Sequence, residues 1–321
     1  MKQKIFIISG LVLLVAVIVI MLLDLFSAKK ENQSNPYDYK LGEFKKTDSS
    51  LTGYTEKLSF KPGLEEINAV ACDVSDRIYV GGKNGLEIFE KDGKPAGKFG
   101  FEGVASSMAV DKKGTVFTGM QDHVEVFDPS GKLLKKWKSI SAESVLTSIA
   151  VSDSFVFVAD AGKKIVYRYD LNGRLINRIG EKDPQKKIPG FVVPSPYFDL
   201  ALGKKDELWV ANTGRHSIEQ FSNDGTLNSA WGEASMAVDG FCGCCNPSHF
   251  AFLSDGSFVT SEKGIERVKV YSPRGVFQCI VAPPDAFIEG TRGLDLAVDS
   301  KDRIIVLDPE KKLIRIFVKK K

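Results

Sequence analysis

Two hydrophobicity patterns divide the chain. Ile5 to Leu23 is a run without a charged residue, IFIISGLVLLVAVIVIMLL. As a helix it would reach about 28 Å, close to the thickness of a bilayer core. From about Leu64 onward the pattern changes to short apolar stretches broken by polar turns. Each unit begins with an apolar strand centred on an alanine. A turn rich in Asp, Lys, Ser and Gly follows, then a second strand such as Arg77-Ile78-Tyr79-Val80. A third strand alternates, as in Leu86-Glu87-Ile88-Phe89, and an Asp-Gly or Ser-Gly turn leads to a fourth.

The unit occurs six times, with anchor residues at Ala69, Ala109, Ala150, Ala201, Ala251 and Ala297. The second strands align as RIYVGG, TVFTGM, FVFVAD, ELWVAN, SFVTSE and RIIVLD, and the third as LEIFEK, VEVFDP, IVYRYD, IEQFSN, VKVYSP and IRIFVK. Asp92-Gly93, Ser130-Gly131, Asn172-Gly173, Asp224-Gly225 and Arg274-Gly275 close the last hairpins, where glycine supplies the positive φ such turns need. Four short strands at a period of about 40 to 50 residues predict an all-β fold, a six-bladed β-propeller of four-stranded antiparallel blades. The sixth unit stops after its third strand. The alternating stretch Tyr54 to Phe60 can supply the missing outer strand and close the ring. The units resemble the NHL repeat family over about Ile67 to Phe317, the strength of the match lying in six repeats in register.

The predicted organisation is a transmembrane signal anchor at 1–28, a polar linker at 29–53 and a propeller at 54–321. Lys2 and Lys4 before the apolar run favour a cytoplasmic N-terminus, so the propeller is expected outside the cytoplasm; Lys29 and Lys30 weaken the asymmetry. A cleaved signal peptide is the alternative, against which Leu25-Phe26-Ser27-Ala28 makes a poor cleavage site. The linker reads as a spacer without a function of its own.

Composition adds little. The net charge of +3, from 44 basic and 41 acidic residues, gives no reason to expect nucleic acid as a partner. Five cysteines are too few for a disulfide scaffold in 321 residues.

Candidate chemistry lies on the top face, where each blade's last strand links to the next blade's first. Two of these links are long, Glu181 to Tyr197 and Glu233 to Pro247. Two residues before the anchors stand Ile67, Ser107, Ser148, Asp199, His249 and Asp295, and four before them Glu65, Ala105, Leu146, Tyr197, Pro247 and Gly293, with Arg292 adjacent. Tyr197, Asp199, His249, Arg292 and Asp295 are thus the candidate ligand-binding residues at the channel mouth; a water-filled polar channel without a ligand explains the same residues. Cys242, Cys244, Cys245 and His249 form a second constellation, three thiols and an imidazole within eight residues. It suits a soft or borderline metal such as zinc or copper(I), a structural disulfide, or redox-active thiols including a Cys244–Cys245 pair. It lacks the C-x-x-C-H spacing of a c-type haem site. Cys72 and Cys279 are expected in the core, and His123 and His216, at the starts of third strands, facing solvent.

Three functions fit. The first is a non-enzymatic module, anchored outside the membrane, that binds a protein or small ligand through its top face. The second is a redox or metal-handling accessory protein built on the cysteine loop. The third is a channel-mouth hydrolase, lactonase or lyase in which Asp199, Asp295 and Glu65 hold a divalent cation such as calcium. The NHL resemblance also implies the zinc chemistry of peptide-amidating lyases, but that needs several channel histidines and this channel offers only His249.

Overall fold

The computed structural model describes residues 14–15, 17–19, 41–185, 188 and 190–321. Of the expected anchor only Leu14, Val15, Val17, Ile18 and Val19 fall among these, as helical residues; the rest of it, and most of the linker, lie outside the described residues. Among the described residues no helix is long and apolar enough to cross a membrane. A separate compact unit begins at Gly42.

That unit is a six-bladed propeller. Blade 2 comprises Ser107–Val110, Val116–Gly119, Val124–Phe127 and Leu133–Lys136; blade 3, Leu146–Val151, Phe155–Asp160, Ile165–Asp170 and Leu175–Ile179. Blade 4 comprises Leu200–Leu202, Leu208–Asn212, Ser217–Phe221 and Leu227–Trp231; blade 5, His249–Phe252, Phe258–Glu262, Arg267–Tyr271 and Phe277–Ala282. In blade 1, Ile67–Cys72 and Pro95–Val104 flank the long strand Ile78–Phe89. This strand supplies both middle positions, with the reversal near Asn84, which takes φ 61°. Blade 6 runs Leu296–Val298, Ile304–Asp308, Leu313–Lys319 and, at its outer edge, Tyr54–Phe60.

The middle strands read as continuous apolar runs because blades cover them on both sides, whereas the outer strand Leu133–Lys136 is exposed throughout. Apolar clusters fill every junction between consecutive blades. Ile67, Val70 and Ile78 of blade 1 meet Ala297, Ile305 and Ile314 of blade 6, so the junction across the chain ends is packed like the others. The hairpin glycines reinforce the seams. Gly275, at φ 76°, lies against Trp231 of the preceding blade, where an added Cβ would sit 2.6 Å from the indole. Glycine is required there twice over, for conformation and for space.

The closing strand pairs antiparallel with Leu313–Lys319, from Tyr54 opposite Lys319 to Phe60 opposite Ile314. Arg315 fastens it: its guanidinium donates to Glu56 Oε2 at 2.5 Å and to the Ala286 carbonyl at 2.8 Å. The segment read as a spacer is held at its C-terminal end. Lys45 pairs with Glu289 at 2.7 Å, and the Gly53 amide donates to the Ile280 carbonyl at 2.9 Å. Its polar composition hid this, because the fastening uses backbone groups and charges rather than apolar side chains.

One register differs from the sequence reading. Val70 pairs with Val80, as Phe250 pairs with Thr260 in blade 5 and Leu200 with Val210 in blade 4. The alanine equivalent to Ala251 is therefore Ala71, not Ala69. In Ile67-Asn68-Ala69-Val70-Ala71 both alanines lie on the same face of the strand, so period-2 patterning alone does not separate them. Ala69, not Ile67, takes the channel position in blade 1.

Closure gives a test. Removing residues 1–41 is expected to leave the melting temperature unchanged. Removing residues 1–60 strips the outer strand of blade 6, including buried Tyr54, and is expected to cost more than about 3 kcal/mol. Denaturant unfolding of the two truncations checks this; equal stability would mean the strand does not close the ring.

Candidate functional site

The inner strands line a central cavity of about 340 Å³. At equivalent places near its mouth stand Ala69, Ser107, Ser148, Asp199, His249 and Asp295. Three of the polar ones stitch their strand to the next blade. Ser148 Oγ accepts from the Leu200 amide at 3.2 Å, Asp199 Oδ2 from the Phe250 amide at 2.7 Å, and Asp295 Oδ2 from the Val70 amide at 2.8 Å. By this rule His249 should accept from the Leu296 amide. That amide instead donates to the carboxylate of its own neighbour, Asp295 Oδ1, at 2.8 Å.

His249 is left free of the stitching. Its Nδ1 faces Asp295 Oδ1 at 3.4 Å and Asp199 Oδ2 at 4.0 Å. Burial, with the neighbouring Asp295 charge, pushes Asp199 up to about 6, against the opposing pull of His249. Burial also raises Asp295, again opposed by His249. Tyr197 stands edge-on to the imidazole, ring centroids 6.1 Å apart, and the Lys263 ammonium lies 4.7 Å from the Tyr197 ring centre. Burial raises the Tyr197 phenol, and the nearby Arg292 charge opposes this. Tyr197, Asp199, His249 and Asp295 are thus brought together, with exposed Arg292 at the rim. Glu65 is not part of this group; it is exposed and paired with Lys83 at 3.2 Å.

The cysteine loop adjoins the mouth. Cys242 and Cys245 are buried and Cys244 is exposed; all five thiols of the chain are free. Cys244 Sγ and Cys245 Sγ are 3.1 Å apart. Burial raises the thiols of Cys242 and Cys245; Lys263 and the Ser195 hydroxyl act against this at Cys245. Among the described residues no three His, Cys, Asp or Glu side chains converge as a metal site. Neither the loop thiols with His249 nor the two channel aspartates with His249 therefore form a ready ligand set. The Asn246–Pro247 peptide, between the loop and the inner strand, is cis.

Residues that the sequence pattern did not single out hold the loop. The buried Asn246 amide donates to the carbonyls of Cys242 at 2.6 Å and Lys263 at 2.9 Å. In blade 5, Arg267 contacts Glu262, and Lys269 lies 3.2 Å from Glu262 Oε1. Lys269 also donates to the Gly240 carbonyl at 2.7 Å and the Val238 carbonyl at 3.1 Å. Burial lowers Lys269 to about 8 despite Glu262. Charge at these places gave no signal, because other blades carry Glu87, Glu125, Glu219 and Arg315 at the place of Lys269, and Asp160 and Asp308 at the place of Glu262.

Four placements differ from expectation. His123 does not face solvent freely; it bonds Asp122 at 2.7 Å and Glu125 at 3.3 Å. His216 has a left-handed backbone, φ 57°, and a buried, unpartnered Nδ1. Cys72 and Cys279 are only partly buried.

Fold and site together define a six-bladed propeller with an aspartate-flanked histidine at the channel mouth. The sequence matches no family model and no curated protein, so the NHL resemblance rests on the repeats themselves. Among solved structures the chain is similar to a streptogramin B lyase at 10% identity, TM-score 0.58, covering 85% of this chain and 100% of that one. A virginiamycin B lyase from Staphylococcus aureus matches at 10% identity, TM-score 0.58, over 83% and 99%. The WD40 propeller domain of Doa1 matches at 16% identity, TM-score 0.56, over 79% of each chain. At these identities the likeness shows the fold alone.

The raised Asp199 carboxyl makes stability depend on pH. Between about pH 4 and 6 the folded chain retains a proton there that the unfolded chain releases. The contribution of this group to stability is full below that window and falls as pH rises through it. Asp199→Asn is therefore expected to gain stability relative to the wild type from pH 4 to 7. Melting curves of both across that range check this, and parallel curves would refute it.

Proposed function

We propose that this chain is a membrane-tethered binding propeller, displayed outside the cytoplasm, whose channel mouth receives a small polar ligand or a segment of another protein. One observation carries the reading: His249, excused from the stitching its neighbours perform, is held between two carboxylates at the opening of a cavity. A polar group placed in such a position without a structural partner is the kind that orients a ligand. Tyr197 supplies an aromatic wall, and Arg292 and Lys263 put positive charge at the rim. The tether and the outside location rest on the sequence alone: the apolar run at 5–23 and its flanking lysines.

A second reading has a specific observation behind it. An imidazole between two carboxylates, one of them pushed up to about 6, is equipped to move a proton near neutral pH. Two structural neighbours with the same architecture are lyases. Proton abstraction at His249 would then be the chemistry of the mouth.

A thermal-shift screen of polar metabolites and peptides against the wild type, His249→Ala and Asp295→Asn tests the site. Ligands of the mouth are expected to raise the wild-type melting temperature and to lose at least tenfold in affinity, about 1.4 kcal/mol, in the variants. If every stabilising ligand acts equally on all three, the mouth is not the site. Turnover of a bound ligand that disappears in His249→Ala would favour the proton-transfer reading.

Location has its own test. A reporter that folds only outside the cytoplasm, fused after Lys321, is expected to be active; activity of a cytoplasm-only reporter at the same position would place the propeller inside.

A further inference from the structure

The mouth of the channel does not use the thiols beside it, and their arrangement has chemistry of its own. Cys244 and Cys245 are neighbours in sequence with free sulfurs 3.1 Å apart, in direct contact with each other. The backbone on both sides is pinned. Phe241, fully buried, receives from Lys269 a cation 4.8 Å from its ring centre, and Asn246 ties Cys242 to Lys263. Between these points Gly243, at φ 75°, lets the chain turn so that Cys244 projects outward while Cys245 points in.

We propose that Cys244 and Cys245 form a redox-active dithiol that closes reversibly to a disulfide between neighbouring residues, with a small-molecule disulfide as oxidant. The asymmetry of exposure assigns the two roles. Cys244 is the sulfur an external disulfide can reach. Its thiolate attacks one sulfur of the reagent, forms a mixed disulfide and expels the other half as a thiolate. Cys245, buried beside it, resolves the intermediate: it loses its proton, attacks Cys244 Sγ and expels the second half as a thiolate. The two cysteines together lose two electrons and two protons, and the external disulfide is reduced to two thiols. Lys263 and the Ser195 hydroxyl, which favour the Cys245 thiolate against its burial, assist the resolving step.

The same geometry argues against the other uses of the loop. Cys242 is buried, which raises its thiol with Glu262 adding and Arg267 and Lys269 opposing, and the close sulfur contact is between Cys244 and Cys245. No third ligand converges on the pair among the described residues, so a zinc site is not assembled there. The proposal does not depend on what the mouth binds, although Lys263 and Ser195 connect the pair to the Tyr197 wall.

The test uses the full chain, reduced and freed of metal with a chelator, then exposed to oxidised glutathione. Remaining thiols are alkylated and the peptide spanning residues 242–249 is analysed by mass spectrometry. In the wild type that peptide is expected to carry one alkyl group, on Cys242, instead of three, with a bond between Cys244 and Cys245, and to recover all three alkylatable thiols in dithiothreitol. Cys245→Ser is expected to trap glutathione on Cys244, and Cys244→Ser to leave the peptide unmodified. Should Cys245→Ser fail to fold, rapid acid quenching of the wild type reads the same intermediate as a transient glutathione adduct on Cys244. A bridge that includes Cys242, a lasting glutathione adduct on the wild type, or no reaction at all overturns the proposal. So does a chain that, before chelation, carries stoichiometric zinc or copper protecting both thiols, since the pair would then be a metal site.

Discussion

The architecture depends on closing a ring from a chain with two ends. Every blade needs a neighbour on each face to cover its middle strands, so a gap between the last blade and the first would expose two apolar surfaces at once. Here the outer strand of blade 6 is taken from residues 54–60, and the ends of the propeller are bonded through the backbone across Tyr54–Lys319 to Phe60–Ile314. Arg315, largely buried, bonds Glu56 of the closing strand and the loop carbonyl of Ala286, with Asp308 3.4 Å away, so removing the strand takes one of its two carboxylate partners. Seams between consecutive blades carry their own local packing, such as Trp231 under Gly275.

Closure sets what the channel residues can do. An inner strand has one neighbour strand in its own blade, and part of its remaining hydrogen bonding is met across the seam. Ser148, Asp199 and Asp295 meet it with short polar side chains that accept from the next blade's amides. Carboxylates at the mouth are therefore not in themselves a sign of catalysis or metal binding; here they are partly mortar. Among the polar channel positions the mortar is missing at Ser107, whose Oγ has no partner, and at His249, the one of the two that lies between carboxylates. Asp295 satisfies the amide that His249 would have taken, and the imidazole is left facing both carboxylates.

The fold was legible because its signal is periodic and repeated six times: strand alternation, hairpin glycines and the spare strand each pointed to the same ring. The convergence of Asp199, His249 and Asp295 was legible for the same reason, since equal offsets from the anchor alanines place residues at equal heights. The limits of that reasoning are equally physical. A two-residue slip in blade 1 leaves every side chain on its own face, so Ala69 and Ala71 look alike in sequence, and with the slip Glu65 was drawn wrongly towards the channel. Asn246, Glu262, Arg267 and Lys269 escaped notice because their partners are loop carbonyls and one another, contacts that no spacing rule records. The division of labour between Asp295 and His249 over one amide is a matter of a single bond and has no sequence signature.

The buried charges explain why a loop of this length can position chemistry. A segment such as 233–247 buries Phe241, Cys242 and Cys245, but those side chains do not pair its backbone carbonyls. Lys269 and Arg267, neutralised in part by Glu262, instead offer donors to the carbonyls of Ala237, Val238 and Gly240, which satisfies the loop's backbone without a strand partner. Burying that group costs solvation, reflected in the lowered Lys269, and the cost is offset only while the loop stays in place. The loop is thereby coupled to the core of blade 5 rather than lying on it. Such a foundation lets the exposed thiol of Cys244 and the buried thiol of Cys245 keep a fixed relation to each other and to Lys263. Their different exposure can then assign different tasks to adjacent residues of the same type.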